Sequence, residues 1–147
     1  MIQFKIKRFN TLTTDELYQL LRLRSEVFVV EQNCVYQDID NKDQKAIHVL
    51  GYLNQELIAC SRIFAPGDYF ENASIGRVIV SQKHRSNKYG HNLMKASIVA
   101  VEQNFQTLKI TISAQEYLKK FYESHGFSQT NESYLEDGIP HIEMKTA

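Results

Sequence analysis

The chain has 147 residues, 43% hydrophobic and 11% aromatic, which is enough to bury a core and excludes the disordered and fibrous classes. Lysine plus arginine and aspartate plus glutamate both number 17, and the zero net charge argues against a general nucleic-acid coat or a polybasic membrane-surface protein. Apolar runs such as Val27–Val30 are too short to span a bilayer, and Cys34 and Cys60 are too few for a disulfide scaffold or a zinc site. The N-terminal Met-Ile-Gln-Phe-Lys has neither a signal-peptide core nor a myristoylation glycine. The expectation is a soluble, cytoplasmic chain with residues 1–147 in one domain, binding neither nucleic acid nor membrane.

Ile2, Phe4 and Ile6 alternate with polar residues and predict a half-buried first strand. Thr13-Thr14-Asp15-Glu16 offers a capping box: the Thr13 hydroxyl takes an orphan helix amide and Glu16 reaches back. The helix that follows runs to about Val30, with Leu17, Leu20, Leu21, Val27 and Phe28 on its apolar face. Asn33 to Lys45 is polar and loop-like. Strands are expected over Ala46–Leu53 and Leu57–Phe64, joined by a turn in which Asn54 takes a left-handed conformation. Pro66-Gly67-Asp68 marks a turn, and Ala73–Val80 reads as a strand.

A second helix is expected from Tyr89 to Asn104, burying Met94, Ile98, Val101 and Phe105. Leu108, Ile110 and Ile112 alternate again as a strand, Gln115–His125 fits a short helix, and Gly126 stands beyond its C-terminus. Phe127 onward and Pro140–Met144 would close the fold. This order predicts an α/β (α+β) architecture: a mixed, mostly antiparallel twisted sheet with helices on both faces. A closing strand at a sheet edge is compatible with a homodimer.

Charge is segregated along the chain. Residues Asn72–Val101 contain Arg77, Lys83, Arg85, Lys88 and Lys95 and no acid, whereas Glu31, Asp38, Asp40 and Asp43 crowd the stretch Glu31–Asp43. One anion-attracting and one cation-attracting surface would result. The basic stretch includes a loop, Val80 to Gly90, between a strand and a helix start. The first turn of a helix leaves backbone amides unpartnered beside the positive end of its dipole, so such a loop suits a phosphate or pyrophosphate. Arg85 and Lys88 would add charge-assisted hydrogen bonds. The loop lacks the Gly-Lys-Ser/Thr ending of a Walker loop and the three spaced glycines of a dinucleotide fingerprint.

The spacing of Val80, Arg85 and Gly90 resembles the acetyl-CoA signature of the GNAT N-acetyltransferase superfamily. Gln115, Tyr122 and Gly126-Phe127 are similar to that family's second block, Asn-x6-Tyr-x3-Gly-Phe. Leu23-Arg24, Val27 to Gln32, Ile75 to Val78, Ala114-Gln115 and Glu136 to His141 resemble its ElaA-like branch. Lys88 departs from the pattern where a loop glycine is usual, and Gln115 where asparagine is common.

The resemblance implies acetyl transfer from acetyl-CoA, as co-substrate, to a primary amine of a small molecule or peptide, by direct attack and without a metal. Backbone groups of Val78, Ile79 and Val80 would bind pantetheine. The loop residues Arg85, Ser86, Asn87, Lys88, Tyr89, Gly90 and His91 would take the pyrophosphate, with Gln115 close to the cofactor. Tyr122 matches the family tyrosine that protonates the leaving sulfur; its alternative reading is a core aromatic on an amphipathic helix. For the general base, Glu31, His48, His141 and a water relay stay open. Arg24 and Arg77 read as structural ion-pair partners, Cys60 as core filler, and His84 with His91 not as metal ligands. Two other classes are a non-catalytic acyl-CoA-binding regulatory module and an unrelated nucleotide-binding domain. The amine acceptor itself is not legible.

Overall fold

The computed structural model describes residues 1–147. Four strands, β1 (Gln3–Arg8), β2 (Ile47–Leu53), β3 (Glu56–Phe64) and β4 (Ser74–Val80), pair in that order as an antiparallel sheet. In a second antiparallel sheet, β5 (Thr111–Gln115) and β6 (Phe127–Gln129) flank β8 (Ile139–Thr146), and β7 (Tyr134–Glu136) forms a hairpin with β8. Helices α1 (Thr14–Arg24) and α2 (Tyr89–Phe105) cover the first sheet, and α3 (Lys119–Glu123) precedes β6. No helix is long and apolar enough to cross a membrane.

Period-2 alternation in the sheet explains two cores. Val49, Ala59 and Ile63 face Leu93, Met94 and Val101 of α2, while Leu50, Cys60 and Ile79 face Leu20, Leu23 and Val27 on the other side. Helices on both faces of the sheet follow from that alternation. The capping box forms as expected: Thr13 Oγ1 accepts from the Glu16 amide at 3.1 Å and Glu16 Oε1 accepts from the Thr13 amide at 2.8 Å. Asn54 and Gln55 both take positive φ in the β2–β3 turn.

Four details differ from the sequence reading. The first helix does reach Glu31, but its last seven residues, Ser25–Glu31, wind as a π-helix. The buried face of α2 is rotated: Leu93, Ser97 and Ala100 join Met94 and Val101, while Ile98 and Phe105 are half-buried. Ser97 is tolerated there because its hydroxyl pairs with Ser61 at 2.7 Å and donates to the Leu93 carbonyl at 2.8 Å. The strand expected from Leu108 begins only at Thr111, leaving Leu108 exposed. Gln115 ends β5, and a 3-10 turn at Glu116–Leu118 intervenes before α3.

Candidate active site

The two sheets touch at one end only. Ala73 and Ile110 form a single parallel bridge, reinforced by the Thr111 amide donating to the Ala73 carbonyl at 2.9 Å; beyond it β4 and β5 separate without a ladder. The gap is a cavity of about 470 Å³ with β4 residues Ile75–Val80 on one wall and Ser113 and Gln115 of β5 on the other. The π-helix and the residue capping it (Phe28, Glu31, Gln32), the start of α2 (Gly90, His91), α3 (Phe121, Tyr122) and the β7–β8 hairpin (Glu136, His141) also line it.

Within β4 the register slips. Cys60 opposes Ile79 but Arg62 opposes Gly76, so two residues, Arg77 and Val78, face the single Ser61. Arg77 carries the bulge with φ +49°, a left-handed conformation disfavoured for a side chain of its size. The bulge takes local backbone groups of β4 out of the ladder on the cavity wall.

A buried ionic network anchors that bulge. Arg77 Nε lies 2.8 Å from Asp38 Oδ1, and its Nη2 donates to Asp40 at 3.3 Å. Arg24 reaches Asp38 (3.0 Å) and Asp43 (2.7 Å), and Arg62 reaches Asp40 (2.6 Å) and Asp43 (2.9 Å). Three arginines and three aspartates cancel formally, as buried charge must. Arg24 and Arg77 are thus ion-pair partners, as expected. The cation-attracting acidic surface does not form, because Asp38, Asp40 and Asp43 face inward onto arginine.

At the far end of β4, a 3-10 turn (Gln82–Asn87) leads into α2. The left-handed residue there is not Gly90 but Lys88, with φ +60°, at the very position where the family pattern has glycine. Lys88 therefore reproduces the backbone conformation that glycine would supply and adds a cation with no ion-pair partner. The amides of Lys88 and His91 bond to the carbonyls of Arg85 and Lys88 at 3.3 and 3.2 Å, which leaves Tyr89 and Gly90 at the open first turn of the helix. The Arg85 side chain is engaged: Nε donates to the Val80 carbonyl at 3.0 Å and the guanidinium is paired with Glu31. Gln115 exchanges amide hydrogen bonds with Gln32 at 3.2 and 3.4 Å, and Nδ1 of His91 lies 2.9 Å from Nε2 of His125. Burial and the neighbouring His91 and Lys95 push His125 down from the ordinary imidazole range.

Tyr122 is buried on α3 and lines the cavity, and its hydroxyl makes no hydrogen bond to the protein. Burial pushes this phenol well above its ordinary range, so it stays protonated. His141, on β8, also lines the cavity; Nδ1 lies 2.7 Å from the Ile139 carbonyl. A carbonyl only accepts, so Nδ1 carries the proton and the neutral ring keeps its lone pair on Nε2. His48 is different: it is fully buried, bonds to the Asp43 carbonyl at 3.0 Å and is absent from the cavity wall. Glu31 does line the cavity, but both of its oxygens are on Arg85.

Residues 11–147 match the family model described as an acetyltransferase (GNAT) domain. The chain belongs to the GNAT acetyltransferase family. Protein ElaA of Escherichia coli is 44% identical over 98% of this chain and 95% of its own length, and its crystal structure superposes with a TM-score of 0.92 over the whole of both chains. An acyl-CoA N-acyltransferase from Pseudomonas aeruginosa is similar to the same degree, with 38% identity, full coverage of both chains and a TM-score of 0.92. A GNAT acetyltransferase from Elizabethkingia anophelis, solved with acetyl-CoA bound, shares the fold at 20% identity, with 98% of this chain and 94% of that one covered and a TM-score of 0.67.

The GNAT cleft also collects residues that the sequence alone did not single out. Arg62, behind the cavity wall rather than on it, is buried between Ser61 and Ile63 of β3, where nothing local signals a buried cation. Ser113 and Tyr134 share a hydrogen bond at 2.6 Å, and Ser113 donates to Glu136 at 3.2 Å, so β5, β7 and β8 of this GNAT domain meet in a polar cluster beside His141. The Asp137-Gly138 dipeptide, with positive φ at both residues, was the available signal for the β7–β8 hairpin that brings Glu136 and His141 together.

Proposed function

We propose that the chain transfers an acetyl group from acetyl-CoA to a primary amine of a small molecule or peptide by direct attack. The observation that carries this reading is the bulged wall of β4, open to a cavity that has a cationic helix start at one end and the unpartnered Tyr122 hydroxyl on its lining. The similarity to the Pseudomonas acyl-CoA N-acyltransferase supports an acyl-CoA donor. The acetyl-CoA held by the more distant Elizabethkingia chain fits the same fold.

In this reading Tyr89 and Gly90 amides, with Lys88, hold the pyrophosphate, and backbone groups from Val78 to Val80 align pantetheine along β4. A β4 amide at the bulge polarises the thioester carbonyl, where a fixed donor costs no reorganisation. His141 Nε2, directly or through a water, takes the proton that the amine must lose before it attacks. As the carbon–sulfur bond breaks, the Tyr122 hydroxyl donates its proton to the sulfur; the nitrogen sheds its second proton to solvent and the phenolate takes one back, giving free CoA thiol, the N-acetyl product and a restored Tyr122. Calorimetric titration with acetyl-CoA, using ATP and dephospho-CoA as controls, tests the donor. Micromolar binding of acetyl-CoA in preference to ATP is expected; a folded sample that binds none would overturn the reading.

A further inference from the structure

Two carboxylates line the cavity, and they are not equivalent. Glu31 is neutralised by Arg85, whereas Glu136 has no arginine or lysine partner. Its side chain is 40% exposed, Oε1 accepts from Ser113 Oγ at 3.2 Å, and Oε2 lies 3.5 Å from His141 Nε2. The cations of the cavity wall are disposed in the opposite sense. Arg77 is committed to Asp38 and Asp40, Arg85 to Glu31, and the unpaired Lys88 stands at the start of α2. The cleft is therefore polarised, with a free positive charge at the α2 end and a free negative charge at the β7–β8 hairpin.

We infer that Glu136 selects the acceptor as a cationic aliphatic amine without a carboxylate nearby. The inference rests on the acyl-transfer reading above and adds the acceptor class to it. An ammonium entering the hairpin end meets a carboxylate held in place by Ser113, with the open Nε2 of His141 beside it. The N–H bond breaks, the electron pair stays on nitrogen, and the proton goes to Nε2, leaving an imidazolium that faces Glu136. No free cation at this end is available to hold an acceptor carboxylate, so a substrate bearing one is repelled by Glu136.

The test uses 1,4-diaminobutane and 4-aminobutanoate, which share an aminomethylene end and differ in the sign of the remote charge. Wild type, Glu136→Gln and Glu136→Asp are first titrated with acetyl-CoA and then assayed for acetyl transfer. All three should bind acetyl-CoA alike. Wild type should favour the diamine at least about tenfold in kcat/KM, and Glu136→Gln should shrink that preference to within about threefold, mainly through a higher KM for the diamine. Glu136→Asp, which restores the charge, should keep the preference. Acetyl-CoA binding with equal use or preference for 4-aminobutanoate, with transfer to neither amine, or with a preference that survives in Glu136→Gln overturns the role of Glu136 and leaves the acyl-CoA reading standing. If Glu136→Gln fails to fold, loss of the preference in Glu136→Asp overturns it equally. Absence of acetyl-CoA binding by wild type overturns the acyl-transfer reading and this inference with it.

Discussion

Arg85 is held by Glu31 in a two-pronged ion pair, with Nη2 at 2.8 Å from Oε1, joining the end of the π-helix to the loop that leads into α2. Both side chains are partly exposed, so the pair contributes little to stability; its effect is to cancel a positive charge beside the loop proposed to hold the pyrophosphate. Glu31→Gln should therefore tighten acetyl-CoA binding about three- to tenfold, more at low ionic strength, and Arg85→Ala should weaken it by a similar factor. Calorimetry at two salt concentrations checks both. Turnover should persist in Glu31→Gln, and its collapse at unchanged affinity would restore Glu31 as a base.

Tyr122→Phe removes one hydroxyl from a buried ring and leaves the packing of α3 intact. Turnover should fall about a hundredfold while the Kd for acetyl-CoA moves less than about threefold, as expected of a proton donor used only in the transition state. Pre-steady-state assays alongside calorimetry separate the two. Unchanged turnover at every pH would reduce Tyr122 to a core aromatic.

Lys88→Gly separates backbone from charge. A left-handed L-residue costs about 1–2 kcal/mol and a glycine loses about 0.5–1 kcal/mol in unfolded-state entropy, so the variant should gain about 0.5–1 kcal/mol of stability. Acetyl-CoA affinity should nevertheless drop several-fold, because the unpaired ammonium is gone. Urea denaturation and a binding titration on the same preparation give the two signs. A loss of stability would mean that Lys88 makes a contact of greater worth than the strain.

The ionic network sets the acid limit of the fold. Burial opposes the charge on Asp40 and Asp43, yet hydrogen bonds and charge from Arg62 on the first, and from Arg24 and Arg62 on the second, hold both carboxyls below the ordinary range. Burial outweighs the bond to the Asp43 carbonyl and pushes His48 down as well. In all three the unfolded chain binds protons more readily, so stability falls with decreasing pH: through His48 from about 6.5 downward and through the aspartates from about 4 downward. Urea midpoints from pH 8 to 3 should show these two steps, and His48→Gln should flatten the first. Arg24→Met, which leaves three aspartates facing only Arg62 and Arg77 and so one buried negative charge uncompensated, should cost about 3–5 kcal/mol at neutral pH.

Elements whose signal is local were readable in the sequence: β1 from Ile2, Phe4 and Ile6, α1 from its Thr13–Glu16 box, and the β2–β3 hairpin from Asn54. The π-helix was not, because helical periodicity does not distinguish a wider winding over seven residues. Strand β7 is three residues long and is held by its hairpin partner, so no run of alternation announces it. At the site, the Val80–Gly90 loop and Tyr122 stand out by spacing, whereas the fate of the acidic stretch depends on arginines distant in sequence. Asp40 looks like a surface charge until Arg62 and Arg77 arrive from two different strands.

Each sheet draws on one unbroken part of the chain, residues 3–80 for the first and 111–146 for the second, with α2 between them. During synthesis the strands of the first sheet and helices α1 and α2 leave the ribosome before the second sheet, and their shared core is completed only when Ile112, Ile142 and Met144 join it. The cleft has one wall from each and so comes into being only when the last strands dock. A nascent chain that has paired only β1 to β4 therefore cannot hold a ligand between β4 and β5, and that competence is acquired late.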